Sequence, residues 1–486
     1  MMPLIVLIFT SIILLLAIII YKRNNLVSCI ISFIGLSIAI LSIFFYQSTP
    51  TLPEFITNLL SRDNYSLFIL SLVLFASLIT NIFTYLWLYF LDLSDQGEIF
   101  LLILIATLGG VLLTTTNNLS SFFIGLELMS VPLFCLTGYT YNRITYLESS
   151  IKYTLLSAIT SAFLLFGIAL IYAQTGYLKY SQISIFIKEN ILFLPPLLLL
   201  GFGLMMTSIG FKLSLVPFHQ WTAEIYQKST LPAVLFLATS SKIAIFGATI
   251  RLLIDLQLID NKIVYSLLSI MAVLSILVGN LMALFQLNLK RLLAYSSISH
   301  FGFLWIALIS AHTIHKSFLL ETINISLFSY LLSNLGLFGL ILLLSSSYHN
   351  PHSEEINYYP YRGLFLHHPI LSLAMTIMIL SLSGIPLTLG FISKFYLIII
   401  SIMSHDWWLS LSILIGSILG FYSYLRVIAY LYLSLPPNQS LISAEGNWFW
   451  GIGSILVCLI AIFICILGII PQYIINLAQL SSKLIH

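Results

Sequence analysis

Of 486 residues, 60% are hydrophobic and only 7% are Asp, Glu, Lys or Arg, far below the roughly 25% charged residues of an ordinary soluble domain, which excludes a water-facing fold. The net charge of +3 is spread over 19 Lys and Arg, adjacent only at Lys22-Arg23 and Lys290-Arg291, so the basic stripe of a nucleic-acid binder is missing. Runs of about 20 apolar residues, enough to cross a hydrocarbon core of roughly 30 Å, recur from end to end and make the bilayer the solvent this composition fits.

The first run, Pro3 to Ile20, has no basic residue before it. It is followed by Tyr21-Lys22-Arg23-Asn24-Asn25 instead of a small-residue cleavage site, which predicts a retained first helix. Further spans are predicted near 27–46, 65–91, 98–116, 118–139, 148–174, 194–220, 232–257, 264–287, 292–312, 317–346, 369–402, 407–433 and 448–470, fourteen in all, an even number that puts both termini on one side. Only helices or closed barrels satisfy backbone groups in lipid, and these continuous runs lack the alternation of barrel strands. The predicted fold is therefore an all-α polytopic membrane protein. The longest polar stretch, Ser347 to His368, is too short for a soluble domain, which places the function inside the membrane. Cys29, Cys135, Cys458 and Cys465 lie within apolar runs without metal or disulfide spacing and read as packing residues.

Against this background four charges stand out near the middle of spans: Glu127, Lys212, Lys242 and Lys394. Each would cost about 2.5–3.5 kcal/mol if ionised and unpaired at mid-bilayer, even on a lenient scale, so each must be paired, hydrated or partly neutral. A single Glu–Lys pair could simply lock two helices together. Three lysines facing one acid need another account. An apolar setting weakens a lysine's hold on its proton and a carboxylate strengthens it, so a lysine between the two pulls can exchange that proton when a neighbour moves. That is what a proton relay requires.

Two of the lysines sit near prolines, Lys212 before Pro217 in FKLSLVPFHQW and Lys394 after Gly384 and Pro386 in SGIPLTLGFISKFY. The prolines are expected to break their spans and to free the carbonyls of Leu213 and Leu382. Broken spans are tolerated only where they line protein or water, and a pair of them in two halves of a chain suggests repeats around a midplane site. His219, just beyond Pro217, reads either as a relay or as a helix-end cap. His300, among Ser296, Ser297 and Ser299, reads as part of a hydrated path or as a packing histidine. Glu321 is expected at the interface, and Arg251 with Asp255 reads as an i,i+4 surface pair. His312, His315, His349, His352, His367, His368 and His405 fall in loops or at span ends without metal-ligand spacing. There is no P-loop, dinucleotide fingerprint, GxSxG or CxxC, so the chain is not expected to hold NADH or an iron–sulfur cluster itself.

The segments FFIGLELMSVPLFCLTGY, GFKLSLVPFHQWTAEIYQKSTLPAVLFLATSSKIAIF, LKRLLAYSSISHFGF and YRGLFLHHPILSLAMTIMILSLSGIPLTLGFISKFY resemble the antiporter-like membrane subunits of proton-pumping NADH:quinone oxidoreductase, respiratory complex I. The likeness covers about residues 98 to 433 and is strongest to the bacterial N-subunit type, the counterpart of mitochondrial or chloroplast subunit 2. The resemblance implies about fourteen helices with two inverted five-helix repeats and broken helices 7 and 12. Residues 1–97 would form helices 1–3, 98–257 the first repeat, 264–433 the second, and 448–486 the last helix and tail. Carried over by motif, Glu127 is the acid of the fifth helix, Lys212 the lysine of the broken seventh, Lys242 that of the eighth and Lys394 that of the twelfth.

The implied activity is proton translocation by one subunit of a translocase while electrons pass from NADH through FMN and iron–sulfur clusters elsewhere in the complex to quinone. No cofactor would be bound by this chain. Its partners would be other membrane subunits, neighbouring antiporter-like ones included, and the lipid bilayer, with no nucleic acid. A bacterial inner membrane is the expected location, with thylakoid or mitochondrial inner membrane as alternatives. A Na⁺ or K⁺/proton antiporter subunit and a non-pumping structural subunit are the competing readings.

Overall fold

The computed structural model describes residues 2–21, 24–46, 60–61, 63–90, 96–140, 144–189, 194–347, 361–434 and 451–482. Lys22, Arg23 and most of the polar Ser347–His368 stretch, with His349 and His352, lie outside them. The described residues are helical almost throughout. In chain order the helices are α1 (Met2–Ile20), α2 (Asn25–Tyr46), α3 (Asn64–Phe90), α4 (Glu98–Thr114), α5 (Leu119–Thr137), α6 (Ile144–Thr175), α7 (Tyr180–Glu189), α8 (Pro196–Leu213) and α9 (Gln220–Lys228). After them come α10 (Leu231–Leu256), α11 (Lys262–Leu284), α12 (Leu289–Ile309), α13 (Lys316–Ser347), α14 (Pro369–Ser383), α15 (Leu389–Met403), α16 (Trp407–Tyr432), α17 (Ile452–Ile469) and α18 (Gln472–Ser482).

Among the described residues, 12 helices are long and apolar enough to cross a membrane. The 17-residue α4 and the crossing made in two pieces by α14 and α15 complete the predicted fourteen. Exposure divides them by role. α1, α2 and α6 turn most of their residues outward, with Phe9, Ile20, Leu155 and Phe166 among many exposed apolar side chains, as lipid-facing helices require. α10 is enclosed on every side, and α12 and α13 nearly so. The polar chemistry of the molecule lies along this inner group.

Leaving aside the ten-residue α7, the chain repeats one order from α4 to α10 and from α11 to α16: three whole helices, one broken one, one more. An odd number of crossings inverts the second run relative to the first. Local details recur in register. Asn118 caps α5 by accepting from Ser120 N, and Asn288 caps α12 by accepting from Lys290 N. Gly109 and Gly279 have no side chain where a Cβ would come within 3.0 Å of the backbone nitrogens of Met129 and Ser299, so each lets its helix pair approach closely. Ser214 and Gly384 both take left-handed backbone angles. The partners in all four pairs, Met129 and Ser299 included, stand 170 residues apart.

The breaks correct one expectation. α8 does not break at Pro217, nor α14 at Pro386; each ends earlier, at a left-handed residue that closes the helix by the same two hydrogen bonds. Ser214 N donates to Phe211 O (2.9 Å) and Leu215 N to Gly210 O (2.7 Å). Gly384 N donates to Ser381 O (3.1 Å) and Ile385 N to Leu380 O (3.2 Å). Proline follows the stop because it cannot continue a helix; it is not what frees the carbonyls. Across the first break, Trp221 Nε1 donates to Phe211 O (2.9 Å) and Val216 N to Ser275 Oγ (3.0 Å).

Arg251 and Asp255 are not a surface pair. The Arg251 side chain is only 11% exposed and is clamped against Asp63, which precedes α3, with Asp255 at 3.6 Å. A local reading cannot see a partner 188 residues away. Glu321, near the start of α13, is buried in the protein under α18, whose Gln479 amide donates to it at 3.4 Å. Arg426 donates to the carbonyls of Leu284 and Gln286 at 2.7 Å each, neutralising the C-terminal end of α11. Arg251→Ala would take from Asp63 and Asp255 the guanidinium they share, an expected loss of about 2 kcal/mol. Thermal unfolding of the detergent-purified protein should show it, with Asp255→Ala milder because the Asp63 clamp survives.

Candidate functional site

Lys242 lies at the centre of the enclosed helices. The five residues before it, Leu237–Ser241, form a π-turn, a rare widening of the helix found mostly at functional positions. Tyr330 of α13 donates its hydroxyl to Ala238 O within that turn (2.8 Å). The lysine is 1% exposed. Its Nζ donates to Ser214 Oγ (2.6 Å), at the end of α8, and to Ser297 Oγ (2.8 Å), on α12. The rings of Tyr226, on α9, and Phe301 lie 5.8 and 5.2 Å from it. Both pieces of the first broken helix therefore touch Lys242, one through a hydroxyl and the other through a ring face. Among the described residues no carboxylate lies within ion-pair reach, so a charge held here is costly.

Lys212, two residues before the first break, is also buried and donates to Ser157 Oγ of α6 (2.6 Å). It stands over the rings of Phe134 (5.9 Å) and Tyr153 (6.0 Å). Tyr153 stacks on Trp221 and Trp221 on Phe211, so this aromatic column ties the lysine's surroundings to both sides of the break. Glu127 is half-buried on α5 and accepts from Ser130 Oγ (3.3 Å). It forms no direct ion pair with Lys212, whose hydrogen-bond partner is Ser157.

Lys394, on α15, reaches back across the second break and donates to Ser383 O (2.6 Å), the last carbonyl of α14, with the Phe303 ring 5.7 Å away. His300 shares this neighbourhood, its ring 6.0 Å from Phe303 and 5.9 Å from Tyr330 and within the field of Lys394. His219 occupies the N-cap position of α9 but its ring does not cap the helix; its carbonyl accepts from Thr222 Oγ1 (2.6 Å).

One physical device serves two of the lysines. A helix carries partial negative charge at its C-terminal end, where the last carbonyls lack intrahelical partners. Lys242 meets such an end at Ser214 and Lys394 meets one at Ser383. The helix breaks supply the negative potential that a carboxylate would otherwise provide.

The arrangement brings together Glu127 with Lys212, and Lys394 with His300. Lys242 lies between them, joined to the first break by Ser214 and, through Ser297, to the α12 face that carries His300 one turn later. In the 170-residue register Glu127 corresponds to Ser297, Lys212 to Leu382 and Lys394 to Glu224, so the two halves share a backbone and not a set of charges. Sequence reasoning missed Ser157, Ser214, Tyr226 and the role of Ser297. Hydroxyls next to a buried lysine, as in KLS and TSSK, were the available signal.

The chain matches the family model described as NADH:quinone oxidoreductase/Mrp antiporter, transmembrane, over residues 116–420, more than half of its length. Among solved structures it is similar to a chain of respiratory complex I from Thermus thermophilus with bound aureothin, at 29% identity and a TM-score of 0.80, covering 98% of this chain and 99% of that one. It shares its fold with a chain of the membrane-bound sulfane sulfur reductase, an archaeal respiratory membrane complex (22% identity, TM-score 0.81, 99% and 95% covered). The same holds for a chain of the Mrp complex from Dietzia sp. (18% identity, TM-score 0.82, 99% and 96% covered).

Ser214→Ala and Ser297→Ala each remove one of the two oxygens on Lys242. The double variant, which strips both, should lower the thermal stability of the detergent-purified protein by more than the two single losses combined, because either hydroxyl alone still anchors the ammonium. Simple additivity of the two losses would remove the shared-anchor reading.

Proposed function

We propose, because this chain belongs to the NADH:quinone oxidoreductase/Mrp antiporter transmembrane family, that it is a proton-translocating membrane subunit of NADH:quinone oxidoreductase, of the N-subunit type. The observation that carries the reading is the placement of Lys212, Lys242 and Lys394 inside the bundle, held by hydroxyls, a carbonyl and ring faces, with no carboxylate in contact among the described residues. A structural lock would pair each lysine with an acid. Groups that must gain and lose a proton are better served by neutral oxygens and by an acid at a distance.

In this reading Lys212 takes up a proton under the influence of Glu127. Lys242 accepts it across the first break, and Lys394 exchanges it with one aqueous side, with His300 in the polar path between them and His219 at the head of α9. Residues 98–257 and 264–433 act as two inverted units around Lys242. Moving a charge against 100 mV costs roughly 2.3 kcal/mol, which redox chemistry elsewhere in the complex supplies: NADH, FMN, iron–sulfur clusters and quinone belong to other subunits. Coupling then reaches this chain through neighbouring membrane subunits in a bacterial inner membrane. The competing reading, Na⁺ or K⁺/proton antiport, draws on the shared fold of the Mrp chain and predicts activity that follows the cation gradient without NADH oxidation.

Glu127→Gln tests the relay directly. The complex should assemble, and the protons moved per NADH oxidised should fall severalfold, measured in membranes with matched complex content. An unchanged ratio would remove Glu127 from the relay, and cation-driven proton movement without NADH would favour the antiporter instead.

A further inference from the structure

The two helix breaks share a backbone turn but not the residue that closes it: Ser214 at φ 59° in the first and Gly384 at φ 81° in the second. In the first break the side chain at this position is used, since Ser214 Oγ receives Lys242 (2.6 Å). In the second the same space is occupied by something else. A Cβ placed on Gly384 would lie 2.6 Å from Cδ, 3.2 Å from Cε and 3.3 Å from Nζ of Lys394. All three nearest atoms belong to that one lysine, whose stem lies across the bare turn and whose ammonium reaches the Ser383 carbonyl (2.6 Å).

A positive φ favours glycine on its own account, because a Cβ crowds the backbone there. Ser214 answers that objection within the same molecule: it closes the same turn, with the same pair of hydrogen bonds, while carrying a side chain. Backbone geometry therefore does not by itself demand glycine at the second break.

We propose that Gly384 is a positioning residue for Lys394, its missing side chain providing the space in which the lysine stem crosses the break and sets its Nζ on the carbonyl of Ser383. The inference rests on the relay role proposed for Lys394 and adds what fixes that lysine's geometry. The atoms that would yield to a Cβ are those of a flexible side chain, so substitution displaces Lys394 while leaving the helices packed.

The test uses the whole complex in native membranes at matched content. Gly384→Ala and Gly384→Asn are compared with Lys394→Ala and with the double variant Gly384→Ala/Lys394→Ala, reading protons moved per NADH oxidised. Asparagine tolerates left-handed angles, so it separates the side-chain clash from backbone strain. Both Gly384 variants should assemble and lose most of the wild-type ratio, approaching Lys394→Ala, and the double variant should pump no less than Lys394→Ala alone. Wild-type pumping by Gly384→Asn, or a double variant clearly worse than Lys394→Ala, would overturn the inference by reducing Gly384 to a backbone role. If Lys394→Ala itself pumps normally, the relay reading of that lysine fails. The positioning inference is then judged by a density map of the Gly384→Ala complex: Lys394 displaced from Ser383 supports it, and Lys394 still seated there overturns it.

Discussion

An ammonium group inside a membrane-spanning bundle needs oxygen around it, and an unbroken helix offers little, because each carbonyl already accepts from the amide four residues on and is screened by side chains. The architecture around Lys212, Lys242 and Lys394 follows from that shortage. Oxygen comes from serine hydroxyls, whose rotation lets one oxygen accept from a lysine while donating to a carbonyl, as Ser297 does toward Lys242 and Ala294 O. It also comes from helix ends made on purpose in mid-bundle, at Ser214 and Ser383. The aromatic rings beneath the lysines add a face of negative potential without a formal charge.

This supply leaves the lysines held but not neutralised. A carboxylate in contact would stabilise one charge state strongly and make the other inaccessible. Glu127 instead makes no direct contact with Lys212, accepting from Ser130 while Lys212 donates to Ser157. Among the described residues the direct ion pairs lie elsewhere: Arg251 with Asp63 and Asp255, Glu148 with Lys152 and Lys228, and Lys152 with Glu224. Charges that brace the fold are thus paired, and the ones proposed to carry protons are not.

Much of this was legible in the sequence. Glu127, Lys212, Lys242 and Lys394 announced themselves because a charge violates the hydropathy around it, and fourteen crossings followed from run length alone. The positions of the two breaks were legible within a few residues through Pro217 and Pro386. Their mechanism was not, since a serine at φ 59° leaves no mark in a sequence, and the prolines drew attention away from the helix ends before them. Ser157, Ser214 and Ser297 were hidden among many other serines, and only three-dimensional placement separates a hydroxyl on a lysine from one bonded to its own helix. The Arg251 clamp failed for a related reason, as its true partner lies far away in the chain. The 170-residue register was present in the sequence throughout, but its markers, two asparagine caps and two bare helix crossings, acquire meaning only once the elements they serve are known.

That register also bears on direction. Two inverted halves with the same charges would present equivalent sites on either side of Lys242, and a proton at the centre would have no intrinsic preference between them. Here the halves differ where it matters. The acid Glu127 in the first becomes Ser297 in the second, the lysine before the first break has an apolar counterpart, and the second half's lysine follows its break instead of preceding it. Lys242 therefore faces a side that carries Glu127 and Lys212 and a side that carries Lys394, His300 and the helix end at Ser383. The backbone is shared and the surroundings of the lysines are not, which gives the proposed path two unlike ends, as a one-way transfer requires.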